Sequence, residues 1–165
     1  MLTVTFGGNP LTLADDQLKV GDKLPIATLV DNDLNPLSTA DTKGLRVFLT
    51  VPSLDTPVCD LEVRTFNKKA GELAGVSIYV VSADLPFAQA RWCGAAGVDA
   101  VQTVSDYVDG SFAHATGTFI SELALLSRAV FIVDADDTVV YTEFVSEITE
   151  APNYDAAYAK LAELR

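Results

Sequence analysis

Residues 45–73 read LRVFLTVPSLDTPVCDLEVRTFNKKAGEL, and the change of pattern inside this stretch decides the fold. LRVFLTV (45–51) is a continuous apolar run of the kind a strand shows when both its faces are covered. Turn chemistry follows at 52–56. Either Asp55 or Thr56 can serve as helix N-cap, and Pro57 suits the first helical position, where its missing N–H costs nothing. A helix is expected from 57 to about 73, with Val58, Leu61, Val63, Phe66 and Ala70 as its apolar positions. VSIYVV (76–81) then reads as a second buried strand.

Outward from this strand–helix–strand unit the alternation continues. A short helix is expected at 86–93, a small strand at 101–104 and a helical turn at 111–116. Strands at 129–134 and 138–145 flank the turn cluster Asp134-Ala135-Asp136-Asp137, and an amphipathic helix at 154–164 closes the chain. Before the unit, TVTFGGNPLTL (3–13) places two alternating runs around Gly7-Gly8-Asn9-Pro10, a hairpin pattern. The stretch from there to Lys43 reads as loop, with Leu24-Pro25-Ile26 as an extended piece. The order predicts an α/β fold in one domain, 1–165: a mixed central sheet flanked by helices, thioredoxin-like, with an N-terminal β-hairpin.

The chain of 165 residues carries 23 acidic and 11 basic side chains, a net charge of −12. That balance repels nucleic-acid phosphates and anionic membranes, so neither is expected as a partner. The acids are spread along the chain and read as a solvated surface. No basic start with an apolar core is visible at the N-terminus, and no apolar run reaches membrane-span length, so a cytoplasmic setting is expected.

A chain of this length builds a core without covalent staples, so its two cysteines are expected to serve chemistry. Most free cysteines are simply small buried hydrophobes. The context of Cys59 argues otherwise. With Thr56 as N-cap, Cys59 occupies the third helical position, facing unpaired backbone N–H groups and the positive end of the helix dipole. This favours an ionised sulfur, expected to be open to small oxidants. Ionisation alone gains only about 30-fold over an ordinary cysteine at neutral pH. Fast chemistry at the sulfur therefore also needs donors aimed at the charge that develops in the transition state. The Thr56 hydroxyl, the Cys59 N–H and an arginine can supply them; spacing alone does not choose among Arg46, Arg64, Arg91 and Arg128.

These residues resemble the peroxiredoxins. Pro52-x-x-x-Thr56-x-x-Cys59 matches their active-site signature, and PSLDTPVCDLEVRTFN (52–67), SADLPFAQARWCG (82–94) and LLSRAVFIVD (125–134) resemble the bacterial thiol peroxidase branch, the atypical two-cysteine kind. One departure is Trp92, where that branch often carries Phe. The resemblance implies a thioredoxin fold, Cys59 as peroxidatic nucleophile and Cys93 as resolving thiol of the same chain. It further implies Thr56 as a hydrogen-bond partner of thiolate and peroxide, Pro52 as a shield against water, and Arg128 as the cation beside the sulfur. Hydroperoxides would be the substrates, a thioredoxin-type protein the reductant, and a homodimer the assembly, with no metal or organic cofactor. Bridging Cys59 and Cys93 is expected to require local unwinding, eased by Gly94 and Gly97, with Trp92 fluorescence as its reporter.

The principal rival is a redox-responsive interaction protein that uses the same disulfide switch without turnover. A disulfide oxidoreductase is disfavoured because the chain has no Cys-x-x-Cys. Cys59, Cys93 and His114 match no zinc spacing, and His114 reads as a packed or surface histidine. Asp136-Asp137 reads as turn chemistry, and neither Ser53 nor Ser82 has a histidine placed to activate it. Val58, Phe87 and Trp92 fit the core better than a substrate entrance.

Overall fold

The computed structural model describes residues 2–70, 72–98 and 100–164. In chain order the elements are β1 (Thr3–Phe6), β2 (Asn9–Thr12), β3 (Thr28–Val30), β4 (Pro36–Ser38), a 3-10 turn (Thr39–Asp41), β5 (Leu45–Thr50), α1 (Pro57–Ala70), β6 (Val76–Ser82) and α2 (Pro86–Ala96). They continue with β7 (Gln102–Ser105), α3 (Ser111–Thr116), β8 (Phe119–Ile120), β9 (Leu125–Leu126), β10 (Ala129–Val133), β11 (Val139–Phe144) and α4 (Tyr154–Leu164).

Seven strands form one sheet in the order β11-β10-β5-β6-β7-β3-β4. β5, β6 and β7 are parallel, joined by α1 and α2 as crossover helices, while β10, β11, β3 and β4 pair antiparallel at the two sides. This is the mixed, helix-flanked sheet expected, and β1 with β2 forms the expected separate hairpin.

Period-two alternation sorts the central strands between two cores. Val47 and Leu49 of β5, Ile78 and Val80 of β6, and Val130 and Ile132 of β10 face one side, where Cys59, Val63 and Phe66 of α1 and Ala157 and Leu161 of α4 meet them. Phe48, Val81, Phe131 and Val133 face the other side, against Phe112 and Ala113 of α3. Both faces are covered, which is why β5 and β10 read as unbroken apolar runs.

Several expectations are corrected. The stretch read as loop contains the hairpin β3–β4. Three-residue strands are too short to show alternation, and their turn is held by Asp31 Oδ1, which accepts from the N–H groups of Asp33 and Asn35 at 2.9 Å each. The two-residue pair β8–β9 was equally invisible. α1 ends at Ala70, and Gly71 of the expected helical tail lies outside the described residues. α2 runs past Cys93 to Ala96, where Gly97 at φ 67° ends it by donating its N–H to the Cys93 carbonyl. Leu61 is 60% exposed, because the helix period turns Cys59, Glu62, Val63 and Phe66 to the core instead. Phe87 is 68% exposed and is not core. Among the described residues no helix is long and apolar enough to cross a membrane.

Gly117 ends α3 at φ 73°, with the Asp16 carbonyl and Gln17 Cα pressed where a Cβ would stand. Gly117→Ala is therefore expected to cost more than about 1 kcal/mol, read as a lowered denaturation midpoint in urea. An unchanged midpoint would contradict this close approach.

Candidate active site

The loop between β5 and α1 is shaped by one carboxylate. Asp84 accepts from the Ser53 hydroxyl at 2.7 Å, the Leu54 N–H at 2.8 Å and the Ser82 hydroxyl at 2.7 Å, tying the loop to the end of β6. Ser53 and Ser82 thus hold the loop in place through Asp84. Pro52 is buried within this loop. Thr56 stands immediately before Pro57, and its carbonyl accepts the Asp60 N–H at 2.9 Å, opening α1. Cys59 is therefore at the third helical position, as expected. The Thr56 hydroxyl, however, donates to the Ser53 carbonyl at 3.1 Å rather than to the sulfur.

Cys59 is fully buried, and its Sγ accepts from Arg128 Nη2 at 3.1 Å. Of the four arginines left open by spacing, geometry selects Arg128. Arg46 is buried elsewhere, bonded to Gly44, Thr42, Asp134 and Asp137. Arg64 pairs with Asp60, and Arg91 is exposed on α2. Arg128 is 2% exposed. Besides the sulfur, it donates from Nη1 to Glu62 Oε1 at 3.0 Å, and from Nε and Nη2 to the Ile148 carbonyl at 3.0 and 2.9 Å.

The Ile148 carbonyl is itself held in place by the N-terminal hairpin. Ile148 donates its N–H to the Thr5 carbonyl at 2.9 Å. The neighbouring Glu147 carboxylate accepts from the hydroxyls of Thr149 and Thr5 and the N–H groups of Thr149, Gly8 and Gly7. The Thr149 hydroxyl and those backbone donors hold the Glu147 carboxyl well below the usual carboxylate range. Hairpin, loop, guanidinium and sulfur thus form one continuous chain of contacts.

Glu62 was not anticipated. It lies one turn after Cys59 with no exposed surface, and its Oε2 has no partner among the described residues. An acid on the apolar stripe Cys59–Val63–Phe66 was the available signal. Burial pushes its carboxyl up to about 7 against the opposing pull of Arg128. Burial also works against the Arg128 charge, but Glu62 and Cys59 more than offset this and leave its pKa raised.

An apolar pocket of about 320 Å³ opens beside the sulfur, lined by Phe6, Pro52, Thr56, Pro57, Val58, Arg128, Ile148 and Thr149. Pro52, Thr56 and Arg128 are thus brought together at Cys59. Val58 belongs to this rim rather than to the core. The sulfur itself is closed off by the rim, not open as expected.

Cys93 stands apart. Both cysteines are free thiols. Cys93 Sγ lies 3.4 Å from Thr103 Oγ1, and Thr103 spends its own proton on Asn32 Oδ1 at 3.0 Å, so the thiol is the donor. It lines a depression with Asp31, Asn32, Asp33 and Thr103 that shares no residue with the apolar pocket. Trp92 is half-buried over the α1–α2 junction. His114 pairs with Asp15 at 2.6 Å and stacks on Phe119, joining neither cysteine. Asp134–Asp137 forms the expected turn, with Asp137 at φ 62°.

Because the folded chain holds the Glu62 proton more tightly than the unfolded chain, the stability it confers is full below pH 4.5 and lost as pH rises through about 7. Glu62→Gln lacks that titration. Its stability relative to wild type, from urea unfolding, is expected to improve by at least about 1 kcal/mol between those limits. A pH-independent difference would contradict the assignment.

Residues 19–158 match the Redoxin family. The chain is 53% identical to a thiol peroxidase of Clostridium acetobutylicum over 93% of this chain and 94% of that one. It is 51% identical to a thiol peroxidase of Bacillus subtilis, over 94% and 93%. Among solved structures, a peroxiredoxin-like protein from Aquifex aeolicus superposes with a TM-score of 0.93 at 42% identity, covering 99% of this chain and 97% of that one. A thiol peroxidase from Chromobacterium violaceum, at 22% identity and a TM-score of 0.90, covers 98% and 96% and shares the fold. A buried cysteine–arginine contact on this sheet, in a chain with these relatives, places the protein in the Redoxin family, among its thiol peroxidases.

Proposed function

We propose that the protein reduces hydrogen peroxide and organic hydroperoxides through Cys59, closes a Cys59–Cys93 disulfide, and is recycled by a thioredoxin-type reductant. The observation that carries this reading is the 3.1 Å contact from Arg128 Nη2 to Cys59 Sγ. A sulfur held by a guanidinium has a partner for its negative charge, and burial strengthens that attraction. Among the described residues, four of the five Arg128 N–H donors are committed, leaving one on Nη1 for a peroxide oxygen. The apolar rim offers organic hydroperoxides a carbon surface, while Pro52 and Val58 exclude water. Since the sulfur is sealed, the rim shifts to admit the oxidant, and the Thr56 hydroxyl, released from Ser53, turns to it.

In the first step the Cys59 thiolate forms an S–O bond to the terminal peroxide oxygen as the O–O bond breaks. The leaving alkoxide or hydroxide takes up a proton, giving alcohol or water and Cys59 sulfenic acid. In the second, the Cys93 sulfur displaces the hydroxyl, its proton leaves with it as water, and an S–S bond forms. Two thiols of the reductant protein then restore both cysteines by exchange. Such recycling fits the cytoplasm, where thiol reductants are maintained. Exposed Phe6, at 48%, on the pocket rim supports a homodimer built near this face.

The test is peroxide consumption coupled to thioredoxin and its reductase, with hydrogen peroxide and an aryl-alkyl hydroperoxide as substrates. Cys59→Ser is expected to fall to the uncatalysed rate, and Cys93→Ser to stop after one turnover at the sulfenic acid. Steady-state turnover by Cys59→Ser would rule the scheme out.

A further inference from the structure

The residue after one cysteine and the residue before the other are bonded to each other. Trp92 Nε1 donates to Asp60 Oδ1 at 2.8 Å. The other Asp60 oxygen accepts from Arg64 Nε at 3.0 Å. Arg64 closes the ring, donating from Nη1 to the Ala96 carbonyl at 3.2 Å with its guanidinium 6.0 Å from the Trp92 ring centroid. Together these contacts join the first two turns of α1 to the last turns of α2.

We propose that Asp60, Trp92 and Arg64 form a clasp that governs release of Cys93, and so sets how the Cys59 sulfenic acid divides between disulfide closure and further oxidation. The inference rests on the two-cysteine cycle proposed above.

The anchoring of α2 is uneven. Its first half is fixed by Gln89, fully buried, which donates from Nε2 to Ser82 Oγ at 3.0 Å and to the Val104 carbonyl at 2.9 Å. Its second half buries no side chain fully, contains Gly94, and ends at the left-handed Gly97. Among the described residues the Cys93 sulfur has one hydrogen-bond contact, to the Thr103 hydroxyl, a weak bond, and the side chain is only partly buried against the core. Cys93 and the Cys59 pocket lie on separate depressions, so the second half of α2 must leave its place before the sulfurs meet. The clasp is the charge-assisted contact that this departure breaks. With Asp60 and Arg64 side chains 35% and 47% exposed, it is a screened latch rather than a rigid brace.

The sulfenic acid has two fates. Attack by Cys93 gives disulfide and water; a second hydroperoxide transfers one oxygen, giving sulfinic acid and alcohol or water. A tighter latch slows the first and favours the second. The clasp residues are positioning residues, acting through Cys93.

The experiment follows resolution by rapid-quench mass spectrometry of disulfide and sulfinic acid over a range of peroxide concentrations, with the initial Cys59 oxidation rate measured alongside. Asp60→Ala and Trp92→Phe each remove the Trp92–Asp60 bond. Both are expected to speed disulfide closure about 3- to 10-fold and to raise the half-inactivating peroxide concentration in proportion, with the first oxidation step unchanged. Asp60→Asn keeps an acceptor for Trp92 and is expected to lie between them and wild type. Gly94→Ala, which meets nothing within 4 Å, stiffens α2 and is expected to shift both readouts the other way, by about two- to fivefold. A purely structural role for the clasp gives variants that close no faster and resist over-oxidation no better. Closure at or below the wild-type rate in both Asp60→Ala and Trp92→Phe overturns the proposal. A wild-type chain that forms no disulfide with peroxide overturns the cycle beneath it instead.

Discussion

A guanidinium with almost no exposed surface must be paid for by its neighbours, and at Arg128 those neighbours are a sulfur, a carboxylate and a carbonyl. They and the guanidinium come from three parts of the chain. Cys59 and Glu62 are presented by one turn of α1, Ile148 by the loop after β11, and Arg128 itself by the residue leading into β10. The small hairpin, which adds nothing to the central sheet, gains its purpose here. Through Thr5, Gly7 and Gly8 it fixes the Glu147 loop and with it the carbonyl that aims Arg128.

This arrangement sets stability against chemistry. A buried ion pair of Glu62 with Arg128 recovers desolvation only in part, and Glu62, held up to about 7, shows the residual cost. Removing either partner leaves the other stranded. Under the cycle proposed above the pair has a use despite that cost, because the same guanidinium meets the Cys59 sulfur and is fixed by three acceptors before any peroxide arrives. That is preorganisation: the donors are ordered during folding rather than during the reaction.

Much of this was legible in the sequence. The run from Leu45 to Cys59 contained the strand, the turn, the proline start and the placement of the thiol at the third helical position, because each is a local choice with a local signal. The hairpin β3–β4 was not, since three residues are too few for periodicity to show. Glu62 is an acid on the same inward face as Val63 and Phe66, and a reading of α1 by its apolar positions, with Leu61 counted among them, passes over it. Arg128 could be chosen only by resemblance, because no spacing in a chain reveals that residues 59 and 128 meet across a sheet. The hydroxyl of Thr56, expected on the sulfur, instead bonds Ser53, a choice between nearby acceptors that no sequence pattern encodes.

The claim beneath the whole account is that Arg128 makes the buried sulfur of Cys59 reactive. The direct measurement is the stopped-flow rate of Cys59 oxidation by hydroperoxide, in a Cys93→Ser background so that only the first step is seen. Arg128→Gln is expected to slow that step by at least about 100-fold, with Arg128→Lys between it and the parent, while the fold persists by circular dichroism. A rate for Arg128→Gln within about twofold of the parent would contradict the account.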